Sequence, residues 1–272
     1  MRFLIIVFIG IGIFNCSLTP ALGQGTSSGS LKAVLIVGYQ EDGTLDAIEK
    51  MDKIAKLLKE NGVSVYKFYD SNADWNEITK VSGECSFFIY SGHGSRLGED
   101  GNVGGLCITT MVSTADILKD LHLKSNALVV FVSVCNGAGS SAGDDDDIGI
   151  TEAKKRVISY AAPFFKIGAA AYYANNYDNG PYNFLKDFFS GESLKKAYLN
   201  STTTWTDVEF DEPFPGHPDK TFSIASEQGG GIATRTTYIN GVKKVEEITD
   251  PKGYEITYAG KPDFTIATMK LR

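Results

Sequence analysis

Five segments of strand length are rich in apolar residues, and most of them lack the strict alternation of apolar and polar residues. They are residues 31–37, 63–68, 85–90, 128–134 and 168–174. A strand that is apolar on both faces must be covered on both faces, which is typical of a parallel sheet between two layers of helices. The pattern therefore predicts an α/β fold with three layers, α/β/α, around a mainly parallel sheet.

Segments with apolar residues at helical spacing separate these strands. They are residues 48–58, 74–81, 113–121, 152–165 and 182–199. Gly62 follows the first segment as a helix stop, and Ser113 or Thr114 supplies an N-cap for the third. The alternation of strand and helix extends over residues 31–200, which we assign to the main domain.

The pattern changes after residue 200, where predicted strands follow one another without helices. Asn240-Gly241, a dipeptide typical of two-residue hairpin turns, lies between two strand-like segments. The predicted strands are residues 234–239, 242–248, 254–258 and 264–271. Residues 201–272 are therefore expected to form a C-terminal extension, a small antiparallel β meander.

The N-terminus has the features of a secretory signal. Its apolar run, residues 3–14, is shorter than the roughly 20 residues that a membrane-spanning helix needs. A small-residue cleavage site ends at Gly23. We expect a signal peptide over residues 1–23, a spacer over residues 24–30, and a secreted or extracytoplasmic protein without a stable membrane span. Lipid attachment at Cys16 is the alternative.

The charge of the chain argues against a nucleic-acid partner. The sequence carries 26 basic and 33 acidic residues, and removal of residues 1–23 takes away one basic residue and no acid. The resulting net charge of −8 repels phosphate backbones, and no basic aromatic stripe offsets it. Nothing in the sequence indicates an oligomeric state.

Three cysteines remain after signal removal: Cys85, Cys107 and Cys135. An odd number in an exported protein leaves at least one thiol unpaired. Cys85 and Cys107 are candidates for a disulfide or for small buried side chains.

The strongest chemical signal lies at the ends of two predicted strands. His93 stands three residues after the strand at 85–90, and Cys135 directly follows the strand at 128–134. Ligand sites of open α/β sheets lie at the carboxyl ends of the strands, and strands joined by one crossover are often adjacent. The two side chains are therefore expected to meet.

Glycine accompanies both residues, since Gly94 follows His93 directly and Gly137 follows Cys135 by two positions. Glycine lets a backbone N–H approach a bound group closely. A thiolate nucleophile, an imidazole that transfers the proton, and the N–H groups of Gly94 and Cys135 as oxyanion donors form a complete acyl-transfer site. A turn histidine and a buried thiol are the structural alternatives.

Residues 86–95, SFFIYSGHGS, resemble the histidine motif of caspases, metacaspases and their gingipain and CHAT relatives, in which an apolar strand ends in His-Gly. Residues 129–137, VVFVSVCNG, are similar to the cysteine motif of the same superfamily. The resemblance implies a caspase-like fold and a cysteine endopeptidase that acts on proteins or peptides. It also implies that Cys135 and His93 form the dyad, that Gly94 is an oxyanion donor, and that no cofactor is required.

One position departs from these relatives, which carry Gln, Asp or Glu two residues before the nucleophile to shape the substrate pocket. This chain has Ser133 there, so the charge that selects a substrate side chain must come from elsewhere. Asp42 and Asp178, in loops predicted at the same sheet edge, and Asp144 are the candidate pocket acids. Metacaspases and gingipains cleave after basic residues, which implies cleavage after Lys or Arg here.

The densest charge run follows the cysteine motif and consists of Asp144, Asp145, Asp146 and Asp147. Such a run is typical of a solvated loop. Attraction of a basic substrate and binding of Ca²⁺ are the functional alternatives. Lys154-Lys155-Arg156 is a candidate self-cleavage site, but the short connection to the next strand favours an active single chain.

Two other functions are compatible with the same motifs. The first is a catalytically idle caspase-like module that binds or scaffolds partners. The second is a thiol-dependent hydrolase of non-peptide esters or amides.

Overall fold

The computed structural model describes residues 31–94, 104–144, 147–202, 206–208, 211–227, 232–239, 242–249 and 252–271. The expected signal peptide and spacer, Asp145, Asp146 and the Asn240-Gly241 turn lie outside the described residues. None of the helices in the described part of the chain has the length and apolar character needed to cross a bilayer.

Strands and helices alternate through the first two thirds of the chain. The strands are β1 (Lys32–Val37), β2 (Ser64–Tyr69), β3 (Cys85–Ser91), β4 (Leu106–Cys107), β5 (Met111–Val112), β6 (Leu123–Val132), β7 (Ala171–Asn175), β8 (Thr206–Val208), β9 (Glu212–Phe214), β10 (His217–Glu227), β11 (Ile232–Ile239), β12 (Val242–Thr249) and β13 (Gly253–Gly260). The helices are α1 (Thr44–Glu60), α2 (Trp75–Ser82), α3 (Thr114–Asp120), α4 (Gly149–Lys166), α5 (Gly180–Phe189), α6 (Leu194–Ser201) and α7 (Ile266–Lys270).

The central sheet has the strand order β2-β1-β3-β6-β7-β13-β10-β8, with β9 paired to β10. The first five strands are mutually parallel, and β13, β10 and β8 continue the sheet in antiparallel pairing. Separate two-stranded antiparallel sheets are formed by β4 with β5 and by β11 with β12. The predicted fold, three layers α/β/α around a mainly parallel sheet, is confirmed. The C-terminal strands are antiparallel as predicted, but β13, β10 and β8 extend the central sheet and do not form a meander of their own.

Two hydrophobic layers, one on each face of the sheet, explain why the central strands are apolar on both faces. Phe131 of β6 packs against Phe164 of α4 on one face, with ring centroids 5.9 Å apart. Phe87 of β3 packs against Phe189 of α5 on the other face, at 5.4 Å. Alternate residues of one strand thus belong to different layers, and both layers need apolar side chains.

Two sequence predictions were wrong in detail. The segment predicted as one closing helix over residues 182–199 is two helices, because Gly191 adopts a left-handed φ of 104° between them. The segment predicted as a strand over residues 264–271 contains helix α7, which begins at a capping box formed by Thr265 and Thr268.

The C-terminal residues contribute directly to the central sheet. Strand β13 lies between β7 and β10, with Ile256 opposite Asn175 at the carboxyl end of β7. Ile256 is fully buried, whereas Val245 on the β11–β12 hairpin is 55% exposed. The edge of the parallel sheet is therefore covered by a strand that arrives late in the chain.

We predict that Ile256→Ala lowers the free energy of unfolding by about 2–5 kcal/mol, because it opens a cavity beside β7. Val245→Ala, a truncation of a β-branched side chain on an exposed strand, is expected to change it by less than about 0.5 kcal/mol. The free energies of unfolding of the two variants are compared by urea denaturation monitored by circular dichroism. Equal, small effects would show that β13 does not belong to the cooperative core.

Candidate active site

The histidine and cysteine motifs follow neighbouring parallel strands. Tyr90 of β3 is in register with Phe131 of β6, so both strands end at the same edge of the sheet. Gly94 packs directly on the backbone of the nucleophile candidate, because a Cβ at this position would lie 1.9 Å from the carbonyl oxygen of Cys135. The structure thus brings the His93-Gly94 segment and Cys135 together, and only glycine fits at the contact.

The buried Tyr90 hydroxyl fixes the backbone that carries the imidazole. It lies 2.8 Å from the carbonyl oxygen of His93 and 2.9 Å from that of Cys107, and it accepts a hydrogen bond from the Cys107 N–H at 3.0 Å. Its single proton is donated to one of the two carbonyl groups at a time. A Cβ at Gly92 would lie 2.2 Å from this hydroxyl, which explains the glycine before His93. Burial raises the pKa of Tyr90, so the hydroxyl stays neutral.

The imidazole has a carboxylate partner that the sequence analysis missed. Nε2 of His93 lies 2.8 Å from Oε2 of Glu41, and the side chains are 50% and 65% exposed. Glu41 belongs to a short 3-10 turn, Glu41–Gly43, after β1 and has a positive φ of 47°. The sequence offered one signal for Glu41, which is an acid in the loop after a strand adjacent to β3. The sequence analysis selected the neighbouring Asp42 in that loop instead.

The loop after β6, residues 133–144, is held by backbone hydrogen bonds and is called the cysteine loop below. Ser133 begins it with a left-handed φ of 54°, and its N–H donates to the Asn175 carbonyl at 3.0 Å. The N–H of Asn136 donates to the Ser140 carbonyl at 2.7 Å. The N–H of Ser140 donates to the Tyr254 carbonyl at 3.0 Å, so strand β13 holds the loop that carries Cys135.

All three thiols in the described part of the chain are free, so the alternative of a Cys85–Cys107 disulfide does not hold. Cys85 is fully buried, and desolvation raises its pKa to about 12. Cys107 is half-buried, with Sγ 3.7 Å from Sδ of Met111. Its pKa is raised by burial and, to a smaller extent, by the charge of the nearby Cys135. Cys107 thus lies close to the site without an assigned role.

The predicted pocket acids have different surroundings. Asp42 is exposed and has no ion-pair partner among the residues that the structure describes. Asp178 is at the same edge and forms an ion pair with Lys50 at 2.7 Å, which lowers the pKa of Asp178. Asp144 is almost buried and is paired with Arg156 at 2.7 Å. Asp42 and Asp178 therefore face solvent at the sheet edge, whereas the charge of Asp144 is compensated inside the protein.

No group of three His, Cys, Asp or Glu side chains suited to a metal occurs in the described ranges. Asp147 accepts a hydrogen bond from the Gly149 N–H at 2.9 Å, next to the start of α4. The calcium alternative for the acidic run stays a prediction, because Asp145 and Asp146 lie outside the described residues. The candidate self-cleavage residues Lys154-Lys155-Arg156 lie within helix α4.

Comparison with known proteins gives only distant structural likenesses. No protein-family model matches the chain, and no curated protein matches it. Among solved structures, the chain is similar to the Drosophila initiator caspase Dronc, with 10% sequence identity and a TM-score of 0.33 over 82% of each chain. At this distance the likeness assigns neither a site nor an activity.

We predict that iodoacetamide at neutral pH alkylates Cys135 first, Cys107 more slowly and Cys85 only after unfolding. The reason is that alkylation needs an accessible thiolate, which burial and the raised pKa deny to Cys85. Peptide mapping by mass spectrometry after timed quenching gives the three rates, with the urea-denatured protein as control. Labelling of native Cys85 as fast as Cys107 would contradict the burial described above.

Proposed function

We propose that this chain is an exported cysteine endopeptidase that cleaves proteins or peptides after Lys or Arg, with Cys135 as nucleophile and His93 as its proton-transfer partner. One observation carries the proposal: the Gly94 backbone lies against the Cys135 carbonyl while the imidazole beside it is bonded to a carboxylate. These contacts support the proposal, because acyl transfer by a thiol needs a nearby base and a group that orients the base. Export is inferred from residues 1–23.

The Glu41 contact assigns a role to each imidazole nitrogen. A carboxylate only accepts hydrogen bonds, so Nε2 of His93 carries the proton that faces Glu41. In the neutral ring Nδ1 is then the free acceptor and takes the thiol proton of Cys135. Glu41 holds the ring in this tautomer and stabilises the imidazolium that forms.

The proposed reaction has two halves. The Cys135 thiolate adds to the scissile carbonyl carbon, the C–N bond breaks, and His93 returns the proton to the leaving amine. A water molecule then gives a proton to His93 and adds to the thioester, and the C–S bond breaks to release the acid and the thiol. In both halves the carbonyl oxygen becomes negative, and the backbone N–H groups of Gly94 and Cys135 are the proposed donors to it. The cycle uses groups of this chain and water, so no cofactor is required.

Carboxylates around the site support selection of a basic side chain. Glu41 and Asp42 follow β1, and Asp178 follows β7, so all three lie at the carboxyl edge of the sheet. Ser133, which follows β6, is neutral and donates weakly to the Asn176 carbonyl at 3.4 Å. Asp178 shares its charge with Lys50, so Glu41 and Asp42 supply most of the exposed negative charge that raises the local concentration of cationic peptides. Asp144, paired with Arg156, is not among the acids that we assign to this selection.

We predict that Cys135→Ala abolishes hydrolysis of fluorogenic peptides that end in Arg or Lys, because the variant has no nucleophile. Cys107→Ala is the matched control, since it removes a nearby thiol and is expected to keep most of the activity. Steady-state fluorescence assays on the purified proteins compare the hydrolysis rates of both variants with that of the wild type. Activity retained in Cys135→Ala would refute the proposal, and a wild-type chain that turns over only esters would favour the non-peptide hydrolase.

We predict that Glu41→Gln lowers kcat about tenfold, because the neutral amide no longer stabilises the imidazolium. Glu49→Gln removes an equally exposed carboxylate from α1, where it pairs with Lys53, and is expected to leave kcat within about twofold of the wild type. Initial rates over a range of substrate concentrations separate kcat from KM. An unchanged kcat in Glu41→Gln would remove Glu41 from the mechanism.

A further inference from the structure

Asp144 and Arg156, which have no role in the proposed reaction, form an ion pair with each other. Arg156 of α4 donates from Nη1 and Nη2 to the two carboxylate oxygens of Asp144, at 2.7 and 3.0 Å. The side chains are 12% and 10% exposed. A paired geometry of this kind is the strongest form of ionic hydrogen bonding in proteins. The first aspartate of the acidic run and the last residue of the basic run thus form one nearly buried ion pair.

The same ion pair holds the cysteine loop at several points. Nη1 of Arg156 also donates to the Gly139 carbonyl at 3.2 Å, and its Nε donates to Glu152 at 3.1 Å. Asp144 accepts from the Ser141 N–H at 2.7 Å. The guanidinium therefore joins the middle and the end of the loop to helix α4, independently of the contact between Ser140 and β13.

Hydrogen bonds within the cysteine loop connect the residues held by Arg156 to Cys135. The N–H of Gly139 donates to the Asn136 carbonyl at 3.2 Å, and the N–H of Gly137 donates to the Val134 carbonyl at 2.9 Å. Cys135 lies between these bonded positions, and its carbonyl group is against Gly94. The direction of the Cys135 N–H is consequently set by a turn whose far end is bound to Arg156.

We infer that Arg156 and Asp144 are positioning residues that aim the Cys135 backbone N–H at the oxyanion of the transition state. The inference rests on the proposed function, since it assigns a role within that reaction. Neither residue touches the substrate. Loss of the guanidinium removes two hydrogen bonds from the nearly buried Asp144 carboxylate, so the loop must shift to bring that charge closer to water. An oxyanion donor is effective only within a few tenths of an ångström of its place, so the shift weakens catalysis.

Two reagents separate this role from a merely structural one. A peptidyl arginine aldehyde adds to the thiol and forms a hemithioacetal whose oxygen occupies the oxyanion position. Iodoacetamide alkylates the same thiol by displacement of iodide and makes no oxyanion. A variant with a misdirected N–H but an intact thiol therefore loses affinity for the aldehyde and keeps its alkylation rate.

The experiment compares the full-length wild type with Arg156→Met, Arg156→Lys and Lys155→Met. In Arg156→Met we expect kcat to fall at least tenfold and the aldehyde inhibition constant to rise by a similar factor, with alkylation of Cys135 within about twofold of the wild type. Arg156→Lys keeps the charge without the paired geometry, so its two losses should be intermediate. Lys155→Met removes an exposed charge from the same helix turn and should leave all three quantities unchanged.

Unchanged aldehyde inhibition and kcat in Arg156→Met would overturn the inference. Loss of aldehyde binding and alkylation together would also overturn it, because the ion pair would then only maintain the fold. If Arg156→Met does not fold, as judged by circular dichroism, the inference is tested with Arg156→Lys instead. Its kcat and its aldehyde inhibition constant are then each compared with the wild-type value. A wild-type chain that cleaves no peptide would instead refute the proposed function, so the two failures are distinguishable.

Discussion

The parallel pairing of β3 with β6 is the constraint on which the candidate site depends. Both strands are buried from end to end over their paired residues, so neither can slide along the other without moving apolar side chains between the two layers. The fixed register brings the loops after the two strands to one edge. It is this register that places Gly94 on the Cys135 carbonyl, 41 positions apart in sequence.

Around this contact, buried side chains bind the backbone of the two loops and charged side chains lie at the surface. The Tyr90 hydroxyl and the Arg156 guanidinium hold the two loops from within, through backbone carbonyl groups and one ion pair. Glu41 and Asp42 lie in solvent at the rim. This arrangement has a physical reason. The buried Tyr90 and Arg156 side chains fix the geometry of the loops, whereas exposed carboxylates attract a cationic substrate at little cost in desolvation.

The sequence predicts the sheet well because its strands are apolar on both faces, and it predicts the ends of β3 and β6 because polar, glycine-containing segments follow them. The contacts that it could not predict are non-local. Glu41 meets His93 across 52 positions, and Arg156 neutralises Asp144 after the chain has turned into α4. No local pattern distinguishes a buried ion pair from two solvated charge runs. The sequence likewise could not predict the insertion of β13 beside β7, since the pattern of an antiparallel strand does not specify which strand it pairs with.

The proposed mechanism requires that Cys135 becomes acylated with help from His93. The most direct measurement is acid quenching during turnover of a slow peptidyl arginine ester, followed by intact-mass and peptide-level mass spectrometry. We expect an acyl adduct, linked as a thioester, on Cys135 in the wild type and a strongly reduced rate of adduct formation in His93→Ala. Turnover without an adduct on Cys135, or an adduct on another residue, would contradict the account.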